Sequence, residues 1–300
     1  MGSHIGRALV SRGYFVRIFD RLDASHKLVS DFEGAVEIVA GDVSQPEDVL
    51  AAVADTDTLI NLIHTTVPGS SMNDPGYDVT SNVAAAANWL KQLGKTRVRK
   101  IFYFSSGGTV YGNPESESAL ITEDHPTNPI NSYGITKLAI EKYTAMYARQ
   151  LNVDYCLLRP SNVYGPGQQL NTGQGVIGVL ANRALHGKSL EIWGAGTNLR
   201  DYLFIEDLVT GLMALLSYDG PLRVFNLSSG KGHSVLDIVS ILRNHLPELP
   251  QVIHLPERGF DVPENILDPS RINRETKWRA AVELEDGVTR TVEWLRTMNQ

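Results

Sequence analysis

The chain has 300 residues, 42% apolar and 20% charged, which suits one large globular α/β domain or one domain with a smaller companion. Its formal net charge of −7 argues against nucleic-acid or anionic-membrane partners, so any bound phosphate has to meet arginines placed locally. The single cysteine, Cys156, lies in an apolar run and excludes an internal disulfide, the eight histidines lack metal-ligand spacing, and no run reads as a membrane span or secretory leader; a reducing cytoplasmic setting and no metal are expected.

In chain order, residues 1–10 read as a helix already under way, and residues 14–20 as a buried strand ending in the carboxylate of Asp20. A dinucleotide-binding unit opens with a strand and a glycine-rich turn before that first helix. Both are missing here, so the expectation is that the chain begins inside the motif, with Gly2 as the last glycine of the turn. Asp20 can accept hydrogen bonds from both adenosine ribose hydroxyls and repels a 2′-phosphate, which favours NAD over NADP; Arg21 beside it softens that preference.

Residues 36–43 form the next expected strand, with Asp42 able to approach an adenine edge, and residues 46–54 a helix with proline in its first turn. Residues 58–64 read as a buried strand ending in His64, either a ligand-side residue or a satisfied histidine at a loop start. A loop over 65–76 precedes a helix over 77–94 that carries Asn82 and an alanine run suited to close packing. Residues 100–105 form another strand, and Ser106, Gly107, Gly108 and Thr109 follow where a parallel sheet presents its ligand-facing rim.

Tyr133 and Lys137 then stand four residues apart in a run of helical spacing, so both side chains share one helix face. A phenol loses its proton near pH 10, and an ammonium close by lowers that value. The pair can therefore take a proton from a sugar hydroxyl near neutral pH, although such a pair alone arises often by chance. Beyond it, residues 151–158 read as a strand, and Arg159 to Gly167 leave the regular alternation of strand and helix. Helices are expected near 206–217, 234–246 and 284–298, giving a nucleotide-binding sheet over 1–159 and a smaller substrate lobe over 160–300, with crossing back allowed.

Taken together, Gly2-Ser3-His4, Asp20, Asp42, Asn82, Ser105 to Gly112, Tyr133 with Lys137, Arg159 to Gly165, Arg200-Asp201-Tyr202, and Arg258 with Asp261 resemble the extended short-chain dehydrogenase/reductase family. The likeness covers nearly the whole chain and lies in the NAD-dependent nucleotide-sugar epimerase/dehydratase branch, nearest the UDP-glucose 4-epimerases. The fold it implies is a Rossmann-like doubly wound parallel sheet, its first strand missing here, with a smaller C-terminal lobe.

The resemblance also implies roles. Tyr133 is the acid/base, tuned by Lys137, with Ser106 or Thr109 supplying a further hydroxyl because Gly107 stands where the epimerases usually carry a serine. Gly2, Asp20, Arg21, Asp42, Val43, Leu62, His64, Asn82, Ser105 and Pro160 join Tyr133 and Lys137 on the NAD face. Thr109, Asn162, Arg200, Tyr202, Arg258 and Asp261 face the UDP-sugar, the two arginines forking onto its diphosphate. The dehydratases place an Asp-Glu pair after the strand ending at 105, and the decarboxylases a glutamate; this chain has Gly-Gly-Thr-Val-Tyr there, which disfavours both. The expected reaction is inversion at C4 of a UDP-hexose through a 4-keto sugar, in a homodimer. A nucleotide-sugar reductase or dehydrogenase and a non-catalytic nucleotide-binding protein are the rivals, and glucose, N-acetylhexosamine and uronic acid forms stay open.

Overall fold

A computed structural model of the chain describes residues 1–21, 32, 34–113, 120–170, 174–246, 248–257 and 262–298. In chain order its elements are α1 (Gly2–Val10), β1 (Arg17–Asp20), β2 (Glu37–Ala40), α2 (Pro46–Val53), β3 (Thr58–Asn61), α3 (Pro68–Ser71), α4 (Pro75–Asp78), α5 (Ala85–Leu90), β4 (Lys100–Phe104), α6 (Ser132–Leu151) and β5 (Asp154–Pro160). There follow β6 (Asn162–Tyr164), α7 (Val176–Leu185), β7 (Leu190–Trp193), β8 (Leu199–Phe204), α8 (Ile205–Leu216), β9 (Val224–Leu227), β10 (Gly232–His233), α9 (Val235–His245), β11 (Val252–Leu255), β12 (Glu264–Asn265), α10 (Ser270–Thr276) and α11 (Leu284–Met298).

The chain divides into two compact units. One comprises Met1–Ser106, Asn131–Leu158 and Pro221–Val224; the other comprises Gly107–Ile130, Arg159–Gly220 and Phe225–Gln300. The sequence reading placed a boundary at 159 and allowed crossing back; the segments 107–130 and 221–224 lie across it from the rest of their units.

In the first unit β1 pairs in parallel with β2, and β3, β4 and β5 pair in parallel with one another. These are two separate sheets among the described residues. The core beneath them joins Val49 and Val53 of α2, Trp89 and Leu90 of α5, Ile101 and Tyr103 of β4, Ile140 of α6 and Leu157 of β5. Gly6 of α1 lets the helix approach Phe32: a Cβ there would lie 3.1 Å from the Phe32 ring. The first strand departs from expectation. It begins at Arg17, it is half-buried, and Tyr14 and Phe15, expected inside it, are 53% and 73% exposed. A two-stranded sheet has one neighbour per strand and covers little apolar surface.

The stretch 65–76, read as a loop, contains two proline-initiated turns. Pro68 and Pro75 stand at the first helical positions, where proline's missing N–H is no loss, and Asp74 caps the second by accepting from the Tyr77 N–H at 2.8 Å. Between α4 and α5 the helix widens into a π turn over Val79–Ala84, a feature the helical pattern did not suggest.

The second unit is built around β8, which pairs with β6 and β12 in parallel and with β10 antiparallel, while β7 and β11 form a separate parallel pair. Helices α7, α9 and α11 pack on one another over Leu180, Ile238, Leu242, Val288, Val292 and Leu295. The short strands escaped the sequence reading because two to six residues are too few to show a period, and α7 carries Gly178 and Asn182 inside its apolar run.

Candidate active site

Helix α6 carries the pair singled out from the sequence. Asn131 caps it by accepting from the Gly134 N–H at 2.8 Å, and it ends where Asn152 takes the left-handed conformation at φ 52°. Its buried face reads Ser132, Thr136, Lys137, Ile140, Glu141, Thr144 and Ala148. This is one stripe at helical spacing, and it is mostly polar. Such a face is kept by chemistry rather than by apolar burial, so an amphipathicity argument misses it.

Lys137 is 3% exposed, and its Nζ donates to the Phe104 carbonyl at 2.8 Å, at the end of β4. The same Nζ lies 5.7 Å from the centre of the Tyr133 ring and 5.2 Å from that of Tyr103. Burial lowers the Lys137 ammonium to about 7, against the opposing charges of Glu141 and Asp78. Burial also pushes the Tyr133 phenol above its ordinary value, and the Asp78 charge adds to the rise. The sequence expectation was the reverse. Desolvation outweighs the nearby ammonium, so Lys137 does not bring the phenol down in this chain alone.

His64, beyond the end of β3, packs edge-on against the Tyr133 ring with centroids 4.7 Å apart. Burial and the Lys137 charge bring its pKa down to about 2, so it is neutral. Its Nε2 lies 3.3 Å from Thr136 Oγ1 and 3.5 Å from Asp78 Oδ1, while its buried Nδ1 has no partner. Asn82 donates to the Asp78 carboxylate at 2.9 Å and to Thr65 Oγ1 at 2.8 Å, and accepts from the Thr65 N–H at 2.9 Å. The side chains of Asn82, Val43, Ile63 and Ser81 line one small cavity.

The remaining cofactor-side residues of this unit fall into place around the strand ends. A Cβ on Gly2 would meet Leu62 at 3.6 Å, ordinary contact, so these two are neighbours and space alone does not require glycine. Asp20 ends β1 exposed, its Oδ1 accepting from the Arg21 N–H at 2.7 Å. Hydrogen bonds from Ser44 hold the Asp42 carboxyl below its usual range, with the Arg21 charge adding to the effect. Ser105 follows β4, and its buried Oγ has no partner. Strand-end carboxylates with unpartnered polar atoms at His64 and Ser105 fit a dinucleotide along the carboxyl ends of a parallel sheet.

In the second unit Asn162 and Tyr202 are register partners on β6 and β8, and Arg200 and Tyr202 alternate on one face of β8. Asp201, between them, is fully buried and accepts from Ser161 Oγ at 2.9 Å, Ser229 Oγ at 2.8 Å and the N–H groups of Ser229 and Gly230 at 3.0 and 2.9 Å. It therefore fixes its strand to the 229–230 turn, and forms no surface pair with Arg200. Asn162 donates to the Asp201 carbonyl at 3.0 Å, and burial raises Tyr202 to about 12. Pro160 ends β5, its carbonyl accepting from the Gly107 N–H at 2.8 Å.

A Cβ on Gly107 would collide with Leu267 and come within 3.0 and 3.1 Å of the Arg159 and Pro160 carbonyl oxygens, which accounts for glycine at that position. Ser106 is half-exposed, whereas Thr109 Oγ1 is buried without a partner. Arg258 and Asp261 lie outside the described residues. Among the described residues no helix is long and apolar enough to cross a membrane, and no cluster could hold a metal ion.

Asp78, Ser132, Thr136 and Glu141 were given no role from the sequence, and Asp201 was named only as part of Arg200-Asp201-Tyr202. The available signals were Asp78 four residues before Asn82, and hydroxyls directly preceding both Tyr133 and Lys137.

Comparisons with known proteins bear on the family and the fold. The model of the NAD-dependent epimerase/dehydratase family matches residues 1–228. A UDP-glucose 4-epimerase of Mycolicibacterium smegmatis is 32% identical over 232 residues, 77% of this chain and 73% of that protein. A dTDP-4-dehydro-6-deoxyglucose reductase of Escherichia coli is 33% identical over 244 residues, 80% of this chain and 75% of that protein. The crystal structure of a UDP-glucose 4-epimerase from Thermotoga maritima, solved with UDP-glucose, superposes with a TM-score of 0.92 at 27% identity, covering 100% of this chain and 96% of the other. With a Rossmann-like α/β fold and the Tyr133–Lys137 helix in place, the chain belongs to the NAD-dependent epimerase/dehydratase family.

Proposed function

We propose that the protein inverts C4 of a UDP-hexose, of the UDP-glucose/UDP-galactose type, through a transient 4-keto sugar. The observation that carries this reading is the Tyr133 phenol set one turn ahead of a buried Lys137, against a neutral His64. Tyr133 takes the O4 proton and returns it after the keto sugar has turned over. Lys137 holds the nicotinamide ribose. NAD, when bound, supplies the acceptor and later the donor of the C4 hydride, and its positive ring favours the phenolate that this chain alone disfavours. Gly2, Asp20, Arg21, Asp42, Val43, Leu62, His64, Asn82, Ser105 and Pro160 serve the cofactor. Asn162, Arg200, Tyr202, Arg258 and Asp261 serve the nucleotide sugar, which glucose, N-acetylhexosamine or uronic acid forms all satisfy.

Since Gly107 has no room for a serine, the second hydroxyl falls to Ser106 or Thr109. The unpartnered buried hydroxyl supports Thr109. The absence of a carboxylate between 107 and 111 speaks against dehydration. The exposed apolar residues Tyr77, Val79, Ile135, Tyr143 and Met146, on neighbouring helical segments, support a homodimer, which the mass in solution would read. Nothing in the composition opposes a cytoplasmic setting.

Incubation with UDP-galactose, followed by the anomeric NMR signals, tests the proposal: inversion without net change in NADH is expected. Tyr133→Phe should slow turnover by a factor on the order of 10²–10⁴, and near-normal inversion by that variant would remove the assignment. The E. coli reductase likeness favours one second reading, net reduction of a 4-keto sugar, recognised by stoichiometric use of NAD(P)H. Binding of nucleotide without product would leave a non-catalytic protein.

A further inference from the structure

Asp78 is fully buried at the end of α4, and both of its oxygens are engaged by side chains. Oδ1 accepts from Thr66 Oγ1 at 2.6 Å and from Asn82 Nδ2 at 2.9 Å. Oδ2 accepts from Ser132 Oγ at 2.7 Å, and Thr136 Oγ1 lies 3.2 Å from it. The single Thr136 hydroxyl proton is shared between this oxygen and the Tyr133 carbonyl at 3.0 Å. The partners come from the segment after β3, from the π turn and from two positions of α6. Ser132 immediately precedes Tyr133, and Thr136 immediately precedes Lys137. A carboxylate drawn out of water is tolerated only when its lone pairs are satisfied, and here every donor that satisfies it also fixes an element of the site.

We propose that Asp78 is a positioning residue for the Tyr133–Lys137 pair: its carboxylate clamps the first turn of α6 to the strand-end segment that carries His64. The inference deepens the function proposed above and rests on that reading for its turnover arm. The clamp also has a charge. The titratable groups facing the Tyr133–Lys137 pair are His64 from the β3 end, Tyr103 from β4 and Asp78 from α4, with Glu141 of α6 beside Lys137 and Tyr103. Asp78 raises the phenol and the ammonium alike. Asp78→Asn keeps the shape and removes the charge, so both groups should titrate at lower pH. A merely structural loss would lower the rate without moving either midpoint.

Two measurements on the full chain test this. The Lys137 midpoint, followed by NMR of ¹³Cε-labelled lysine with Lys137→Met as the assignment control, should fall by about one pH unit in Asp78→Asn, the usual effect of one adjacent charge. The acid limb of the kcat profile with UDP-galactose and the NAD-loaded enzyme should shift the same way. If the wild type does not turn over but the Lys137 midpoint moves, the functional reading fails and the role of Asp78 stands. If the wild type is active and both midpoints stay put in Asp78→Asn, the role of Asp78 is overturned. Should Asp78→Asn not fold, Ser132→Ala reads the same clamp. It deletes one hydrogen bond, so kcat should fall about five- to tenfold at unchanged KM, and an unchanged kcat would overturn the proposal.

Discussion

Asp78 in one unit and Asp201 in the other are both carboxylates without exposed surface, and the two are satisfied differently. Asp78 is held by side chains alone: two threonines, a serine and an asparagine. Asp201 takes two of its four bonds from backbone N–H groups at residues 229 and 230 and the other two from serine hydroxyls. A backbone donor cannot turn away, so Asp201 is a rigid staple of β8 to a turn. Hydroxyl donors rotate and can redistribute their protons, so Asp78 can stay satisfied while the charge of its surroundings changes. The contrast fits the roles proposed for them, a strand bearing candidate phosphate ligands for Asp201 and a helix proposed to transfer a proton for Asp78.

The largest expected effect that separates them is on stability. Asp201→Ala leaves two N–H groups and two hydroxyls without their acceptor in a buried place, and should cost about 3 kcal/mol or more, read from the urea midpoint. A loss under about 1 kcal/mol would mean that water replaces the carboxylate and that the staple is dispensable. Next comes Gly107→Ser, which restores the side chain common in the epimerases. Its Cβ meets Leu267 and two carbonyl oxygens, so about 1–3 kcal/mol of overpacking cost is expected, with no gain in turnover. A stable and faster variant would show that the second unit has room that its packing denies.

The third effect is a slope. Burial holds Lys137 at about 7 in the folded chain, against about 10.4 for a lysine in the unfolded chain. Between those values the unfolded chain binds more protons, so this residue makes stability rise with pH, and its penalty is complete below about 7. Burial raises Cys156 to about 11 and works the other way above about pH 9, and the buried Met1 amine, held below its ordinary value, adds to the rise up to about pH 8, so Lys137→Met is compared with the wild type over pH 7 to 9. The variant should flatten the rise of the thermal midpoint across that range. An unchanged slope would mean that the lysine is solvated in the folded state.

Much of this was legible in the residues. Tyr133 and Lys137 sit one turn apart because four residues are one helical turn, and α6 begins at Asn131-Ser132 because asparagine caps it. The strands at β3, β4 and β5 were plain as short apolar runs. Asp20, Asp42 and His64 were named as candidates because strand ends in a parallel sheet face ligands.

What the linear pattern could not hold was the sign of the electrostatics and the identity of the clamp. Spacing says that an ammonium lies near a phenol. Only burial says that the phenol is driven up and the ammonium down, because desolvation depends on what the rest of the chain packs around them. Likewise Asp78 looked like one acidic residue in a helix. Its partners lie 4, 12, 54 and 58 residues away, and folding alone brought them to two oxygens.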